Sequence, residues 1–294
     1  MRIRATVAAA SGALALSALA VPAAHADGHS AVNPHKPTSA AEVFGTAAQG
    51  APKAAAAARA ASAEPVISKV VVNGGKNIVL GTTASKTISI SVTASHPSGV
   101  VDVYADLWHG TDPSSENTYD GAILKNEDEA KCSKVNATTS TCKLTFTINP
   151  RYSLYKNSLA GTWHVSAGAL AGNYTDIAYT DFYSTARVQR LSKLTVNAAP
   201  EPVKKGKTIT VTGKLSRANW ETFKYQGYTG QPVKLQFRKK SSSTYTTVKT
   251  IKTNSTGNLK TTVKASVDGY WRYSFAGTST TPAVTTAGDF VDVR

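Results

Sequence analysis

The chain has 294 residues, 41% of them hydrophobic, and a formal net charge of +15. The positive charge is concentrated at one end: residues 187–294 carry nineteen Lys/Arg against five Asp/Glu, whereas residues 65–186 carry nine against ten. After the N-terminus no apolar stretch reaches the ~20 residues of a membrane-spanning helix, so we expect no membrane span there. The basic C-terminal region indicates anionic partners.

The N-terminus has the pattern of a secretory signal peptide, residues 1–26. Two arginines precede an apolar run over residues 5–21, and the small residues of Ala24-His25-Ala26 follow. This order predicts cleavage before Asp27. The alternative, a membrane anchor, is disfavoured because polar residues interrupt a run that is already short. We therefore expect a secreted protein, extracellular or associated with the cell wall.

Residues 27–64 are low in complexity. Pro34 and Pro37 are followed by an Ala-rich stretch that begins at Ala47. Alanine favours helix locally, but the segment has no apolar stripe that would dock on a folded core. We expect a flexible, disordered tether, with a helical spacer as the alternative.

From residue 65 the pattern changes to short strands with turn signals between them. Alternation is clear in Ile88–Val92 and in Val100–Trp108, and a long polar insert, Gly110–Lys131, follows. Short, evenly spaced strands without a helical period predict a β-sandwich. We assign residues 65–190 to this first domain.

The chain has two cysteines, Cys132 and Cys142. In an exported protein such a pair persists as a disulfide. A structural zinc site needs more ligands than two cysteines supply. The sequence therefore predicts a structural disulfide across a hairpin.

A second β domain is predicted over residues 191–294. It opens with Leu194–Leu215, which reads as a strand, a Pro-rich corner, a turn at Gly206 and a second strand. Pro200 and Pro202 stand where the chain becomes strongly basic, so we interpret them as a stiff hinge between a neutral domain and a cationic one. The predicted fold class is all-β, with two tandem immunoglobulin-like sandwiches after the signal peptide and tether.

Three segments of the basic domain carry a resemblance. They are PEPVKKGKTITVTGKL, DGYWRYSFAG and the closing TTAGDFVDVR. Together they resemble the C-terminal immunoglobulin-like module of secreted actinobacterial proteins, some of which carry a calcium-binding label. The resemblance implies fold and secretion; it brings no binding residue to this chain.

No pattern in the sequence indicates catalysis. The chain lacks a G-x-S-x-G nucleophile elbow, and both cysteines are expected to be bridged. An unrecognised hydrolase is kept as an alternative because His109 and His164 could meet Asp106 at a metal. We expect a protein that is not an enzyme.

The polar insert suggests calcium as a possible cofactor. Carboxylates clustered on a loop supply the hard oxygen ligands that Ca²⁺ takes. The twelve-residue calcium-loop pattern is not met, and a solvated acidic loop is the alternative. The candidate ligands are Asp112, Glu116, Asp120, Glu127, Asp128 and Glu129.

The basic domain suggests the main function: non-enzymatic binding at or near the cell envelope. Rings combined with cations suit sugars and polyanions, so the expected partner is an anionic wall polymer or extracellular polysaccharide. Nucleic acid is not the expected partner of an exported protein. The alternative is that the rings fold onto the core and the lysines only solubilise. The candidate residues are Trp220, Tyr225, Tyr228, Lys234, Arg238, Lys239, Lys240 and Lys260.

Overall fold

The structure is a computed structural model that describes Phe44 and residues 63–113 and 118–294. The predicted signal peptide lies outside the described residues, as does the predicted tether apart from Phe44 and residues 63 and 64. The first described region is a sandwich of two sheets, one ordered β1-β3-β7-β6 and the other β2-β9-β8-β4-β5. Its strands are β1 (Val66–Val72), β2 (Ile78–Leu80), β3 (Lys86–Ser95), β4 (Val100–Gly110), β5 (Tyr119–Ile123), β6 (Lys131–Lys134), β7 (Thr139–Ile148), β8 (Gly161–Ala171) and β9 (Ile177–Arg190).

Alternating side chains build the core of this N-terminal sandwich. Ile88, Ile90 and Val92 of β3 point inward and are almost fully buried, as are Val103 and Leu107 of β4. Each fully buried aliphatic side chain stabilises the fold by about 1.5–3 kcal/mol. The predicted insert also contains a strand, because β5 pairs antiparallel with the end of β4. A short helix, α1 (Pro150–Ser153), and two 3-10 turns (Asn73–Gly75, Asn157–Leu159) lie in the connections.

The predicted disulfide is confirmed. Cys132 on β6 and Cys142 on β7 are directly opposite each other in the antiparallel register, with their Cα atoms 3.9 Å apart. Cys142 is fully buried in the sandwich core. The bond therefore fixes an edge strand, β6, to the core strand β7.

The second described region is a sandwich centred on the long strand β12. Its strands are β10 (Ser192–Leu194), β11 (Asn197–Ala199), β12 (Thr208–Asn219), β13 (Lys224–Gly227), β14 (Pro232–Lys239), β15 (Thr246–Lys252), β16 (Asn258–Lys264), β17 (Gly269–Phe275), β18 (Val284–Thr285) and β19 (Asp289–Val291). In one sheet β10, β11, β13 and β16 all pair with β12; the other runs β15-β14-β17, and both β18 and β19 pair with β17. Trp271, Tyr273 and Phe275 alternate into the core between them.

The two prolines are placed differently from the prediction. The strand that precedes them, β11, pairs with β12, and its Ala198 is buried in the C-terminal core. Pro200 and Pro202 therefore lie inside the C-terminal sandwich, and their interpretation as a hinge between domains is wrong. The chain passes from β9 to β10 through one residue, Leu191.

Candidate binding site

The outer face of the sheet β15-β14-β17 carries the candidate site. On β14, Val233 and Leu235 are buried while Lys234 between them is exposed. The same alternation on β17 buries Trp271 and leaves its neighbours partly exposed. In the antiparallel register Gln236 faces Arg272 and Arg238 faces Tyr270. Cations and rings from two strands therefore share one surface.

Three cations and three rings form one continuous stack, which we call the cation–aromatic ladder; its order is Arg272–Tyr245–Arg238–Tyr270–Phe290–Lys240. The guanidinium carbon of Arg272 lies 3.6 Å from the ring centre of Tyr245. That of Arg238 lies 5.4 Å from Tyr245 and 3.8 Å from Tyr270. The rings of Tyr270 and Phe290 are 5.1 Å apart, and the Lys240 ammonium is 5.3 Å from Phe290.

Hydrogen bonds fix the two guanidinium groups but use few of their donors. Arg272 Nε donates to Oε1 of Gln236 over 2.8 Å, and one terminal nitrogen of Arg238 donates to the carbonyl oxygen of Ser242 over 2.8 Å. A guanidinium has five N–H donors. Most of them therefore have no partner among the described residues and can bind an anion.

The ladder is also short of neutralising carboxylates. Within the described residues of the chain from 187 onward, ion pairs within 4.0 Å form only at Lys240, which is 3.8 Å from Asp268, and at Arg294. Neither Arg238 nor Arg272 is paired with an acid. The positive charge at the centre of the ladder is thus available to a ligand.

The absence of a side chain at Gly288 leaves the space that the Tyr245 and Tyr270 rings of the ladder occupy. A Cβ atom added at Gly288 would lie 2.1 Å from the hydroxyl oxygen of Tyr245 and 2.9 Å from Cβ of Tyr270. Distances this short are impossible for real atoms, so any larger residue here must displace one of the two rings.

The predicted basic residues are divided between two faces. Lys234 and Arg238 lie on the ladder face, and the exposed Lys239 and Lys240 lie at the end of β14. Lys260 lies on β16 in the other sheet, opposite Thr212 of β12. The structure therefore brings together only part of the predicted set.

The predicted stacking rings serve a different purpose, because they lie at the junction of the two sandwiches. Trp220 is fully buried in the N-terminal core, so its predicted role as an exposed stacking ring is wrong. One face of Tyr225 is covered by the Lys193 ammonium at 3.8 Å, and one face of Tyr228 by the Arg217 guanidinium at 3.8 Å. These rings fold back onto the protein, as the alternative interpretation held.

A buried arginine completes this junction. Nε of Arg190 donates to the carbonyl oxygen of Ala218 over 2.6 Å. Burial, with a smaller contribution from the nearby Arg217, lowers the pKa of Arg190 to about 10. Nearby, the backbone N–H of Trp220 donates a hydrogen bond to Oδ1 of Asn157 over 3.0 Å. Polar and apolar contacts thus join the two sandwiches in the same place.

The acidic insert does not form a cluster among the residues that the structure describes. Asp120 is 2.5 Å from Nδ1 of His109, Glu127 accepts from the backbone and hydroxyl of Thr145, and Asp128 and Glu129 are exposed. Burial raises the pKa of Glu127, but the Thr145 hydrogen bonds outweigh it and hold that pKa below its ordinary value.

The calcium ligands are therefore not gathered in the described part of the insert. Asp112 lies on the exposed loop after β4, and Glu116 lies outside the described residues. No three His, Cys, Asp or Glu side chains in residues 63–113 and 118–294 are placed to hold a metal ion. Calcium binding stays a prediction.

The histidine cluster of the hydrolase alternative does not form. His164 lies opposite Trp108 and stacks on its ring, with the centres 4.3 Å apart, on the same sheet face as Asp106. His109 follows Trp108 on β4 and therefore points to the other face, where it approaches Trp163. The sheet separates the two histidines.

Sequence reasoning missed four of the six ladder residues. Tyr270 and Arg272 could have been found, because they alternate with the inward Trp271 and Tyr273 on β17. Tyr245 lies in the β14–β15 connection and Phe290 on β19, so nothing local in the sequence places either ring beside Arg238.

A separate cleft of about 560 Å³ opens between β1 and β9. Its walls include Val70–Val72, Lys76, Thr162 and Ser184–Arg187. Its lining mixes the apolar side chains of β1 with hydroxyls and two cations, and nothing in it converges on one point as the polar groups of a ligand pocket do.

Comparisons with known proteins match one family model to part of the chain. A model described as a family of unknown function (DUF5707) matches residues 80–169, which lie in the N-terminal sandwich. No curated protein matches the chain. Within the described residues, no helix is long and apolar enough to cross a membrane.

Three solved structures illustrate the likeness. The fibronectin(III)-like modules of Clostridium thermocellum CbhA are 12% identical, with 76% of this chain and 93% of that chain covered and a TM-score of 0.32. The first eight immunoglobulin domains of Down Syndrome Cell Adhesion Molecule are 14% identical, with 79% and 25% covered and a TM-score of 0.33. Dimeric latent PorU from Porphyromonas gingivalis is 12% identical, with a TM-score of 0.28; 82% of this chain is covered, but it spans only 21% of PorU.

The strand order and the paired sheets make the chain an all-β protein with immunoglobulin-like sandwiches.

Proposed function

We propose that the chain is a secreted, non-catalytic binding protein that holds an anionic polymer on the ladder face of its C-terminal sandwich. The polymer is an anionic wall polymer or an acidic polysaccharide near the cell envelope. The observation that carries the proposal is the continuous stack of three cations and three rings, in which neither guanidinium is paired with a carboxylate.

Stacking prepares the cations for binding. A cation placed over an aromatic ring at an exposed site gains about 0.5–1 kcal/mol, and this contact holds the side chain in place without using its N–H donors as hydrogen bonds to the protein. Arginine edges match carboxylate, sulfate and phosphate groups in a bidentate way. Arg238 and Arg272 are held in this manner, so the entropy lost when they bind an anion is reduced.

The repeat along the sheet favours a polymer over a small anion. A single exposed ion pair contributes only about 0–1 kcal/mol. Several such contacts to one chain add, because the second contact is made at a high effective concentration. The strong excess of positive charge in residues 187–294 also speeds the approach of any polyanion.

The test compares two pairs of charge removals in the full chain. Arg238→Gln with Arg272→Gln removes the ladder cations, and Lys260→Gln with Lys264→Gln removes the same charge from the opposite sheet. Retention on immobilised polygalacturonate and dextran sulfate is measured against sodium chloride, with neutral dextran as the blank.

We expect the ladder variant to lose at least tenfold in affinity and the control variant to lose less than threefold. Equal losses would show that net charge alone attracts the polymer. Absence of salt-sensitive retention in the unmodified chain would refute the proposal.

A further inference from the structure

The outer face of the β2-β9-β8-β4-β5 sheet is buried to an unusual degree. In an antiparallel sheet one face packs on the core and the other usually meets water. Here β4 and β8 are buried on both faces: Asp106 and Trp108 of β4 are 3% and 1% exposed, and Ser166 and Leu170 of β8 are 1% and 0% exposed. This face is therefore covered.

Part of the cover is a residue from the predicted tether. Phe44 is only 2% exposed and forms an apolar cluster with Leu170. The partly buried side chains around this pair are Val101, Tyr104, Tyr174, Ile177 and Tyr179. The expectation that nothing in residues 27–64 docks on the folded core is thus wrong for Phe44. It is also the only Phe, Tyr or Trp between Asp27 and Glu64.

The part of this sheet face that lies next to the Phe44 cluster, which we call the floor, is formed by β4 and β5 and is polar and incompletely hydrogen-bonded. Tyr104, which packs against the Phe44 cluster, donates its hydroxyl to Oδ2 of Asp106 over 2.8 Å. Oδ1 of Asp106 and the hydroxyl of Tyr119 are buried without a hydrogen-bond partner. Burial raises the pKa of the Asp106 carboxyl, against the lowering effect of the Ser166 and Tyr104 hydroxyls.

Such a floor differs from an ordinary core layer. Native proteins keep only a few buried polar atoms unpaired, because each costs free energy, so two such atoms side by side call for an explanation. A surface that exchanges its occupant keeps polar groups for a partner. The rings of Tyr104 and Tyr179 supply the apolar wall and Asp106 supplies the acceptor.

We propose that this face is a binding cleft for a peptide segment bearing an aromatic side chain, and that Phe44 of the chain itself occupies the cleft as an exchangeable occupant. The single aromatic residue of an Ala-rich segment is the one that docks, which is the pattern of an anchor in a linker. About twenty residues join Phe44 to β1, and a tether of that length holds its anchor at an effective concentration on the order of millimolar. An equivalent peptide at millimolar concentration therefore competes.

The test uses the full chain and a synthetic peptide of residues 38–50, TSAAEVFGTAAQG. Binding is followed by line broadening of the peptide's NMR signals at up to about 5 mM, the range set by the tether's effective concentration. The proteins are the unmodified chain, Phe44→Ala, and Phe223→Ala as a control; Phe223 lies between β12 and β13 and is 39% exposed.

We expect Phe44→Ala to bind the peptide at least tenfold more tightly than the unmodified chain or Phe223→Ala. A peptide with Ala in place of Phe44 should bind none of them. Equal binding to Phe44→Ala and the unmodified chain would overturn the proposal, and so would absence of binding to Phe44→Ala. Circular dichroism of each variant verifies the fold before binding is compared.

Discussion

The indole nitrogen of Trp220, just after β12, donates a hydrogen bond to the carbonyl oxygen of Gly81, just after β2, over 2.9 Å. The donor comes from the chain of the C-terminal sandwich and the acceptor from the N-terminal one. The Trp220 side chain is at the same time part of the N-terminal apolar core. The two sandwiches therefore depend on each other for stability.

Replacing Trp220 by Ala should uncouple them. Removal of a buried indole costs about 3–5 kcal/mol, and here the loss falls on the junction. We expect the single thermal transition of the unmodified chain to become two in scanning calorimetry. Trp220→Phe keeps most of the buried area but leaves the Gly81 carbonyl without its donor, so it should cost only about 1–3 kcal/mol. An unchanged calorimetric profile for Trp220→Ala would contradict the coupling.

Asp106 gives the stability a pH dependence. Burial raises the pKa of its carboxyl above the ordinary 3.8, so the folded chain holds this proton more tightly than the unfolded chain. The stability due to Asp106 is therefore fully present below pH 3.8 and is lost as pH rises through the folded pKa. The side chain in Asp106→Asn does not ionise, so no buried negative charge develops as the pH rises. We expect its melting temperature to exceed that of the unmodified chain by a margin that grows as the pH rises above 3.8.

The control for this prediction is Asp128→Asn, since Asp128 is an exposed carboxylate. Its melting temperature should follow that of the unmodified chain across the same range. Parallel curves for Asp106→Asn and the unmodified chain would show that the buried carboxyl does not set the pH dependence.

The disulfide should contribute measurably to the N-terminal sandwich. Closing a loop of ten residues stabilises a fold by roughly 2–3 kcal/mol in the chain-entropy model. Dithiothreitol should lower the midpoint of guanidinium unfolding by a corresponding amount. The variant with Ala at both Cys132 and Cys142 should unfold at the lower midpoint with or without the reductant. A midpoint that dithiothreitol does not change in the unmodified chain would contradict this.

Gly288→Ala should damage the ladder without unfolding the sandwich. The added Cβ would lie 2.1 Å from the Tyr245 hydroxyl, at the far end of a side chain that can move. We expect several-fold weaker retention on polygalacturonate and a change in melting temperature of only a few degrees. Ala287→Ser, at the exposed neighbouring position, is the control and should bind as the unmodified chain does. Undiminished retention by Gly288→Ala would mean that the position of Tyr245 is unimportant.

Local pattern predicted the strands of this protein well but not the surfaces they form. Alternation in Ile88–Val92 is a property of neighbouring residues, so it identifies both a strand and its buried face. The Cys132–Cys142 pair could be predicted for the same reason, since a hairpin is local. Polar neighbours concealed β5, a short strand inside an acidic stretch.

The remaining features depend on contacts between distant residues. Trp220 follows a strand and has the sequence surroundings of an exposed loop ring, and only packing against the other sandwich buries it. Tyr245 and Arg272 meet because β14 pairs with both β15 and β17. No periodicity in the chain carries that information.

The one-residue connection between the sandwiches has a mechanical consequence. The N–H of Leu191 donates to the carbonyl of Leu80, and its own carbonyl accepts from the N–H of Ala218, both over 2.8 Å. The N–H of Arg190 donates to the carbonyl of Thr280. If a polymer pulled on the ladder face while the N-terminal sandwich was held, the force would therefore act on these backbone hydrogen bonds, because there is no flexible linker between β9 and β10 to extend first.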